Sequence, residues 1–349
     1  MNPFIIMMLL SSLGLGTALT FSSSHWLLAW MGLEINTLAV MPLMIQQHHP
    51  RAVEATTKYF LTQATAAAMI LFASIINAWM LGEWSTQQLS SPFATNIAFM
   101  ALALKIGLAP IHFWLPEVVQ GQTLVIGLLI STWQKLAPFA LIIQITPYVN
   151  STLLIFLGLS STLVGGWGGL NQTQLRKILA YSSIAHLGWM IIIIKFAPSL
   201  TLLTLTIYIM MTTSAFLTFN FLRSTSITTL AMTWTKSPVL TTLASLMLLS
   251  LGGLPPLTGF MPKWMILQEL TKQGVPLTAT LAALTALLSL YFYLRLCYAM
   301  SLTISPSTTT MTASWRLPTP QPSLMLALMM VITLFLLPIT PATMTLFSF

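Results

Sequence analysis

Stretches of about 20 apolar residues recur from one end of this chain to the other, and that recurrence restricts the fold more than any single motif. At about 1.5 Å per residue, each stretch as a helix matches the ~30 Å hydrocarbon layer of a bilayer. Only 13 basic and 5 acidic residues interrupt the 349 positions, and none of the acids is an aspartate. Charged residues make up 5% of the chain, against about 25% in a soluble domain. The chain is therefore read as all-α and polytopic, with its backbone polar groups satisfied inside each helix. The net charge of +8 is spread without a run of Lys or Arg, which excludes a nucleic-acid footprint. A single cysteine, Cys297, excludes a disulfide framework and any Cys-based zinc or iron–sulfur site, and reads as a small filler inside a span. No Lys or Arg precedes position 51, so the apolar N-terminal stretch lacks both a charged n-region and an Arg-rich targeting pattern. It is expected to remain as a span, with synthesis beside the membrane.

Hydropathy predicts eleven spans: 3–21, 25–45, 56–80, 93–117, 122–146, 149–170, 174–194, 199–222, 238–271, 276–300 and 323–346. Spans four and nine contain prolines and glycines. The polar segment 301–322, rich in Ser, Thr and Pro, reads as an extended lateral connection. With the N-terminus on one side, that side's loops carry Arg51, Lys58, Arg176, Lys177, Arg223, Lys236, Arg295 and Arg316, while the other side carries Lys195 and Lys272. This asymmetry predicts that the N-terminus faces the cytoplasm or matrix, and the odd span number puts the C-terminus opposite.

The chain also repeats itself. GLAPIHFWLPE at 107–117 aligns with GLPPLTGFMPK at 253–263, bringing Gly107, Leu108, Pro110 and Pro116 onto Gly253, Leu254, Pro256 and Pro262. The same offset carries span one onto span six. Five spans separate equivalent points, so the second copy would be inverted. Inverted repeats with a broken helix at matching places mark transporters, because the unwound turn lines a polar cavity. Coincidental proline kinks are the alternative. The predicted organisation is a first five-helix repeat at 1–148, a second at 149–300, and a lateral linker with a final helix at 301–349.

Four ionisable residues fall inside spans, where a charge costs at least ~2.5–3.5 kcal/mol. They are Glu34, Lys105 just before the first break, Lys135 with Pro138 one turn later, and Lys263 just after the second break. Each lies on the order of 10–20 Å from one surface by the helical rise. Desolvation disfavours a buried ammonium and a nearby carboxylate favours it, so such a lysine exchanges protons when neighbouring charge moves. A static Glu–Lys pair is the plainer alternative, but it leaves two lysines without a reason. His112, after the first break, and His186, in span seven, are further relay candidates, since imidazole titrates near neutral pH. Each is equally readable as a hydrogen-bonded interior residue. His25, His48 and His49 read as solvated, Glu54 and Lys58 as an i,i+4 pair, and Glu83 and Glu269 as boundary residues. No dinucleotide loop, phosphate loop, haem or metal spacing occurs, so no cofactor or metal is expected in this chain.

KIGLAPIHFWLPEV, RKILAYSSIAHLGWM, GLPPLTGFMPKW and MGLEINTLA together resemble the shared motifs of antiporter-like subunits of respiratory complex I, along essentially the whole chain. Members of that family usually carry further helices ahead of the glutamate helix. With its glutamate on the second span, this chain resembles a member without the first three. The resemblance implies an antiporter-like fold and a place in proton-translocating NADH:ubiquinone oxidoreductase of the mitochondrial inner membrane. It implies that Glu34 pairs with Lys105, that Lys135 is the central lysine, and that Lys263 belongs to the second broken helix. NADH, FMN, iron–sulfur clusters and ubiquinone would then belong to partner subunits. The partners would be other membrane-arm and accessory subunits together with membrane lipids such as cardiolipin. A stand-alone cation/proton antiporter and a structural spacer are the competing functions. The first would want more buried acids than Glu34 alone.

Overall fold

Proline decides where many of these helices start. Pro3, Pro50, Pro92, Pro198, Pro238 and Pro276 each open a helix, at the position where a backbone N–H is not needed and φ is already set. The computed structural model describes residues 2–46, 48–89, 91–235, 237–303 and 324–347. In chain order the helices are α1 (Pro3–Ser22), α2 (Trp26–Ile45), α3 (Pro50–Leu81), α4 (Pro92–Ile106), α5 (Trp114–Gly121), α6 (Leu124–Ser131), α7 (Trp133–Ile145) and α8 (Ser151–Gly169). They continue as α9 (Leu175–Ile193), α10 (Pro198–Phe221), α11 (Ile227–Ala231), α12 (Pro238–Gly252), α13 (Phe260–Lys272), α14 (Pro276–Ser301), α15 (Leu324–Phe335) and α16 (Thr340–Phe347). Among the described residues there is no strand, so the fold is all-α as hydropathy predicts.

Seven segments are each long and apolar enough to cross a bilayer: α1, α2, α3, Leu124–Tyr148, α8, α10 and α14. The polypeptide is a multi-pass membrane protein. Spans four and nine are broken as expected, into α4 with α5 and α12 with α13. Three features differ from the hydropathy reading. Span five is divided at Thr132, where ψ is −69° and the hydroxyl donates to Leu128 O (2.7 Å); Pro138 in the second half supplies no N–H to the helix ladder. The last span bends by 66° between Leu324–Phe335 and Leu337–Thr343, with Pro338 at the bend. A short helix, α11, precedes α12, started by a capping box of Ser226 and Thr229. Most of the lateral linker expected at 301–322, with Arg316, lies outside the described residues, and so does Lys236.

The chain divides into two compact units, Met1–Leu157 and Gly158–Phe349. Within the first, α1 packs on α2, and α3 contacts α2, α4 and α5. His25 and His49 cap α2 and α3, their Nδ1 atoms accepting from Leu27 N and Arg51 N (3.2 Å each). Trp26 N donates to Trp84 O (3.0 Å) and Thr86 N to Ser24 O (2.9 Å), tying the α1–α2 loop to the α3–α4 loop. The second unit ties its own loops with the same pattern: Leu175 N donates to Thr225 O (3.1 Å) and Ile227 N to Thr173 O (3.0 Å). Its core brings Trp189, Ile193, Leu200, Ile266, Leu270 and Ala282 together from α9, α10, α13 and α14. Buried hydroxyls such as those of Ser182, Ser183, Ser214 and Thr218 donate to the backbone carbonyl three residues earlier, so these polar side chains add little cost to burial. Cys297 is buried in α14, its thiol donating to Ser245 O (3.5 Å).

Candidate proton-transfer site

The two breaks share one backbone solution. α4 ends at Gly107 (φ 86°) and α12 at Gly253 (φ 81°), in the left-handed region that glycine tolerates without a Cβ penalty. Leu108 N donates back to Ala103 O (2.9 Å), and Leu254 N to Leu249 O (3.3 Å), closing the same cap. The side chains then diverge. In the first unit the indole of Trp114, from α5, donates to Leu104 O (3.0 Å) at the open end of α4. In the second, the Lys263 ammonium, from α13, donates to Gly252 O (2.8 Å) at the open end of α12.

Lys105 and Lys135 are 5% and 2% exposed, and both line one polar cavity of about 10 Å³, together with Asn36, Thr37, Tyr59, Gln63, Gln134 and Trp114. That is room for about one water. Glu34 is half-buried one turn below Thr37, whose hydroxyl is shared between Glu34 O (2.9 Å) and Glu34 Oε2 (3.1 Å) as acceptors. No ion pair within 4.0 Å joins Glu34 to Lys105 among the described residues. Thr37 joins the carboxylate to the cavity, since it bonds Glu34 and lines the cavity wall. Lys105 Nζ, both amide atoms of Asn36 and Gln134 Nε2 have no protein hydrogen-bond partner, while Tyr59 Oη donates to Gln134 Oε1 (3.4 Å).

His112 lies in the first break, its Nδ1 donating to Pro110 O (3.3 Å), and is not among the residues lining this cavity. In the second unit His186 and Lys263 line a common cavity of about 20 Å³ with Trp189, Thr204, Tyr208 and Met211. His186 Nδ1 lies 2.7 Å from Ser182 O; a carbonyl only accepts, so this nitrogen carries the proton and Nε2 is the basic one. The Tyr208 ring lies 5.7 Å from the imidazole. Sequence reasoning passed over Asn36, Thr37, Tyr59 and Gln134, although neutral amides inside apolar spans are themselves a signal of interior polar contacts. It also passed over Glu117, which with Glu54 brackets the Lys58 ammonium, each at 2.8 Å. Among the described residues no three His, Cys, Asp or Glu side chains gather as a metal site.

Residues 23–289 match the family described as NADH:quinone oxidoreductase/Mrp antiporter, TM, and residues 290–344 match the NADH dehydrogenase subunit 2 C-terminus. The chain is 71% identical over 348 residues to NADH-ubiquinone oxidoreductase chain 2 of Salmo salar, covering 100% of both chains. The chain belongs to the NADH-ubiquinone oxidoreductase chain 2 family. Its fold is similar to a chain of respiratory complex I from Thermus thermophilus, with a TM-score of 0.81 and 28% identity, over 97% of this chain and 80% of that one. A chain of the archaeal membrane-bound sulfane sulfur reductase shares the fold with a TM-score of 0.84 at 17% identity, covering 98% of this chain and 74% of that one. The antiporter-like architecture expected from the motifs is therefore present in this family member.

Proposed function

We propose that this chain is a core membrane-arm subunit of the proton-pumping NADH:ubiquinone oxidoreductase, complex I, and that it moves protons through buried glutamate and lysine side chains. The observation that carries the reading is the shared polar cavity of Lys105 and Lys135, with a carboxylate one hydroxyl away. Burying two ammonium groups in a bilayer serves no structural need that an apolar side chain would not meet better. In the proposed relay, movement of charge at Glu34 changes how firmly Lys105 holds its proton. Lys135 exchanges with the same cavity, and Lys263, with His186 beside it, passes the proton on. His112 is retained as a relay candidate. The chain itself supplies no redox step: NADH, FMN, iron–sulfur clusters and ubiquinone belong to partner subunits of the same translocase.

The proposed topology is eleven crossings in the mitochondrial inner membrane, counting α4 with α5 and α12 with α13 as one crossing each. The N-terminus faces the matrix and the C-terminus the intermembrane space, and two inverted five-helix repeats precede a final helix. The matched caps at Gly107 and Gly253 and the matched loop bridges support that repeat. Other membrane-arm and accessory subunits are the partners, with cardiolipin among the surrounding lipids. The test is proton-to-electron stoichiometry in assembled complexes carrying Lys135→Ala or Lys263→Ala. A lower ratio supports the relay; an unchanged ratio in a fully assembled complex assigns the chain a spacer role.

A further inference from the structure

We propose that the cavity beside the second break binds a single-chain carboxylic acid drawn from the surrounding bilayer, with its carboxylate on Lys263. This cavity, of about 190 Å³, is separate from the smaller one that Lys263 shares with His186. Phe260 and Trp264 of α13, their rings stacked at 6.2 Å, line it together with Ala283, Ala286 and Leu287 of α14. Trp264 and Leu287 are 54% and 59% exposed, so the cavity opens on the apolar outer surface of the second unit. Lys263 is the one charged residue in its wall. The nitrogen end lies on this side: Nζ donates to Gly252 O (2.8 Å), and a methyl added at Gly253 would lie 3.0 Å from Nζ. Both glycines line this cavity and neither lines the smaller one. An ammonium has three donors, and the Gly252 carbonyl takes one. Unlike Lys105 and Lys135, which are buried, Lys263 keeps accessible surface.

Charge selects the ligand. Glu269 is the sole acidic residue of Gly158–Phe349, and it is engaged by Gln273 (3.0 Å) and Lys272 (3.9 Å). Among the described residues no carboxylate lies within 4.0 Å of Lys263. An ammonium in hydrocarbon without a counter-ion is costly, so an anion supplied from outside is favoured there. Depth narrows the choice. Lys263 is about 14 Å along α13 from Lys272 at its end, by the helical rise. Phosphate headgroups stay at the interface, whereas a carboxylic acid sheds its charge by protonation and enters hydrocarbon. The cavity has room for about six water-sized groups, enough for a carboxyl and the first methylenes, with the rest of the chain in the bilayer.

The test uses the assembled complex in nanodiscs, with palmitic acid carrying a diazirine near its carboxyl as the probe and peptide mapping as the readout. Light should label α13 and α14; excess palmitic acid should remove that label, and methyl palmitate should not. Lys263→Met should lower the label at least tenfold, as for loss of a charge-assisted contact, and Lys263→Arg should keep most of it. Ala283→Leu, which narrows the cavity and leaves the lysine in place, should lower it similarly. Native electrophoresis verifies assembly of each variant. Label that methyl palmitate displaces equally, or that survives Lys263→Met, would overturn the inference by showing that an acyl chain alone fills the cavity. Absence of label on both helices would overturn it outright. Occupancy is read without a pumping measurement, so the site stands or falls apart from the relay.

Discussion

The two helix breaks are alike in backbone and opposite in wiring. At the first, a neutral indole caps the open carbonyl of Leu104 and the lysine two residues before Gly107 has no protein partner at its ammonium. At the second, the position matching Lys105 is Leu251, and the lysine sits after the break, bonded to Gly252 O. A cation at a helix C-terminus is favoured by the dipole and by a charge-assisted hydrogen bond. The fold therefore holds one ammonium in place with its own backbone and leaves the other to water and a distant carboxylate. A repeated scaffold fixes where a helix opens; the side chains decide which opening holds charge firmly and which lets it go.

That contrast predicts a split between activity and stability, and here the largest effects are expected. Lys105→Ala and Lys263→Ala should each lower coupled turnover by about tenfold or more, below the ~10²–10⁴-fold of a positioned acid–base group because water can partly substitute. Only Lys263→Ala should also destabilise the protein, by roughly 1.5–3 kcal/mol for a hydrogen bond to a charged group. Removing the unpartnered Lys105 cation should leave thermal stability unchanged or raised. Equal stability losses in a thermal-inactivation series would erase the distinction between the breaks.

Removing the carboxylate sharpens the same contrast. Glu34→Gln keeps the shape of the side chain and takes away its charge, while the Thr37 hydroxyl still meets an oxygen there. Coupled turnover should fall several-fold, within the range of one electrostatic contact of about 1–2 kcal/mol, with assembly retained on native electrophoresis. Turnover equal to that of the unmodified complex would remove the electrostatic link.

The breaks were legible in the sequence because glycine and proline write backbone geometry directly: Gly107 and Gly253 stand at the two repeat-matched breaks, and both take a positive φ there. The lysines were legible because a charge among apolar residues is conspicuous. The cavity was not, because its walls are neutral side chains brought together from α2, α3, α4 and α7, and no periodicity within one helix specifies which neighbour its polar atoms meet. The division of span five at Thr132 was hidden for a different reason. Hydropathy runs through it as one span despite Gln134 and Lys135 just after it, and the division shows only in a hydroxyl bonded to Leu128 O with Pro138 downstream.

A smaller effect concerns the neutral cap. Trp114→Phe keeps an aromatic ring near Tyr59, whose centroid is 5.9 Å from that of Trp114, but removes the N–H from Leu104 O. The expected cost is about 0.5–1.5 kcal/mol, with turnover nearly retained. A collapse of pumping instead would mean that the indole shapes the Lys105 cavity itself, and the two breaks would then be functionally alike.

The smallest effect is expected outside the cavity. Lys58 on α3 lies 2.8 Å from both Glu54 and Glu117, and Glu117 occupies the repeat position of Lys263. The temptation is to make this triad the first unit's counterpart of the Lys263 anchor. Its side chains are 43% to 64% exposed, however, and exposed pairs contribute little because water and salt screen them. The α3–α5 packing that the triad decorates is held by buried contacts: Gln122 just after α5 donates to Ala52 O (3.2 Å), and Tyr59 lies against Trp114. Lys58→Met should thus leave assembly, thermal stability and turnover unchanged within error, at low and high ionic strength alike. A salt-dependent loss of stability would show that the triad fastens α5, and that both breaks are anchored by a lysine after all.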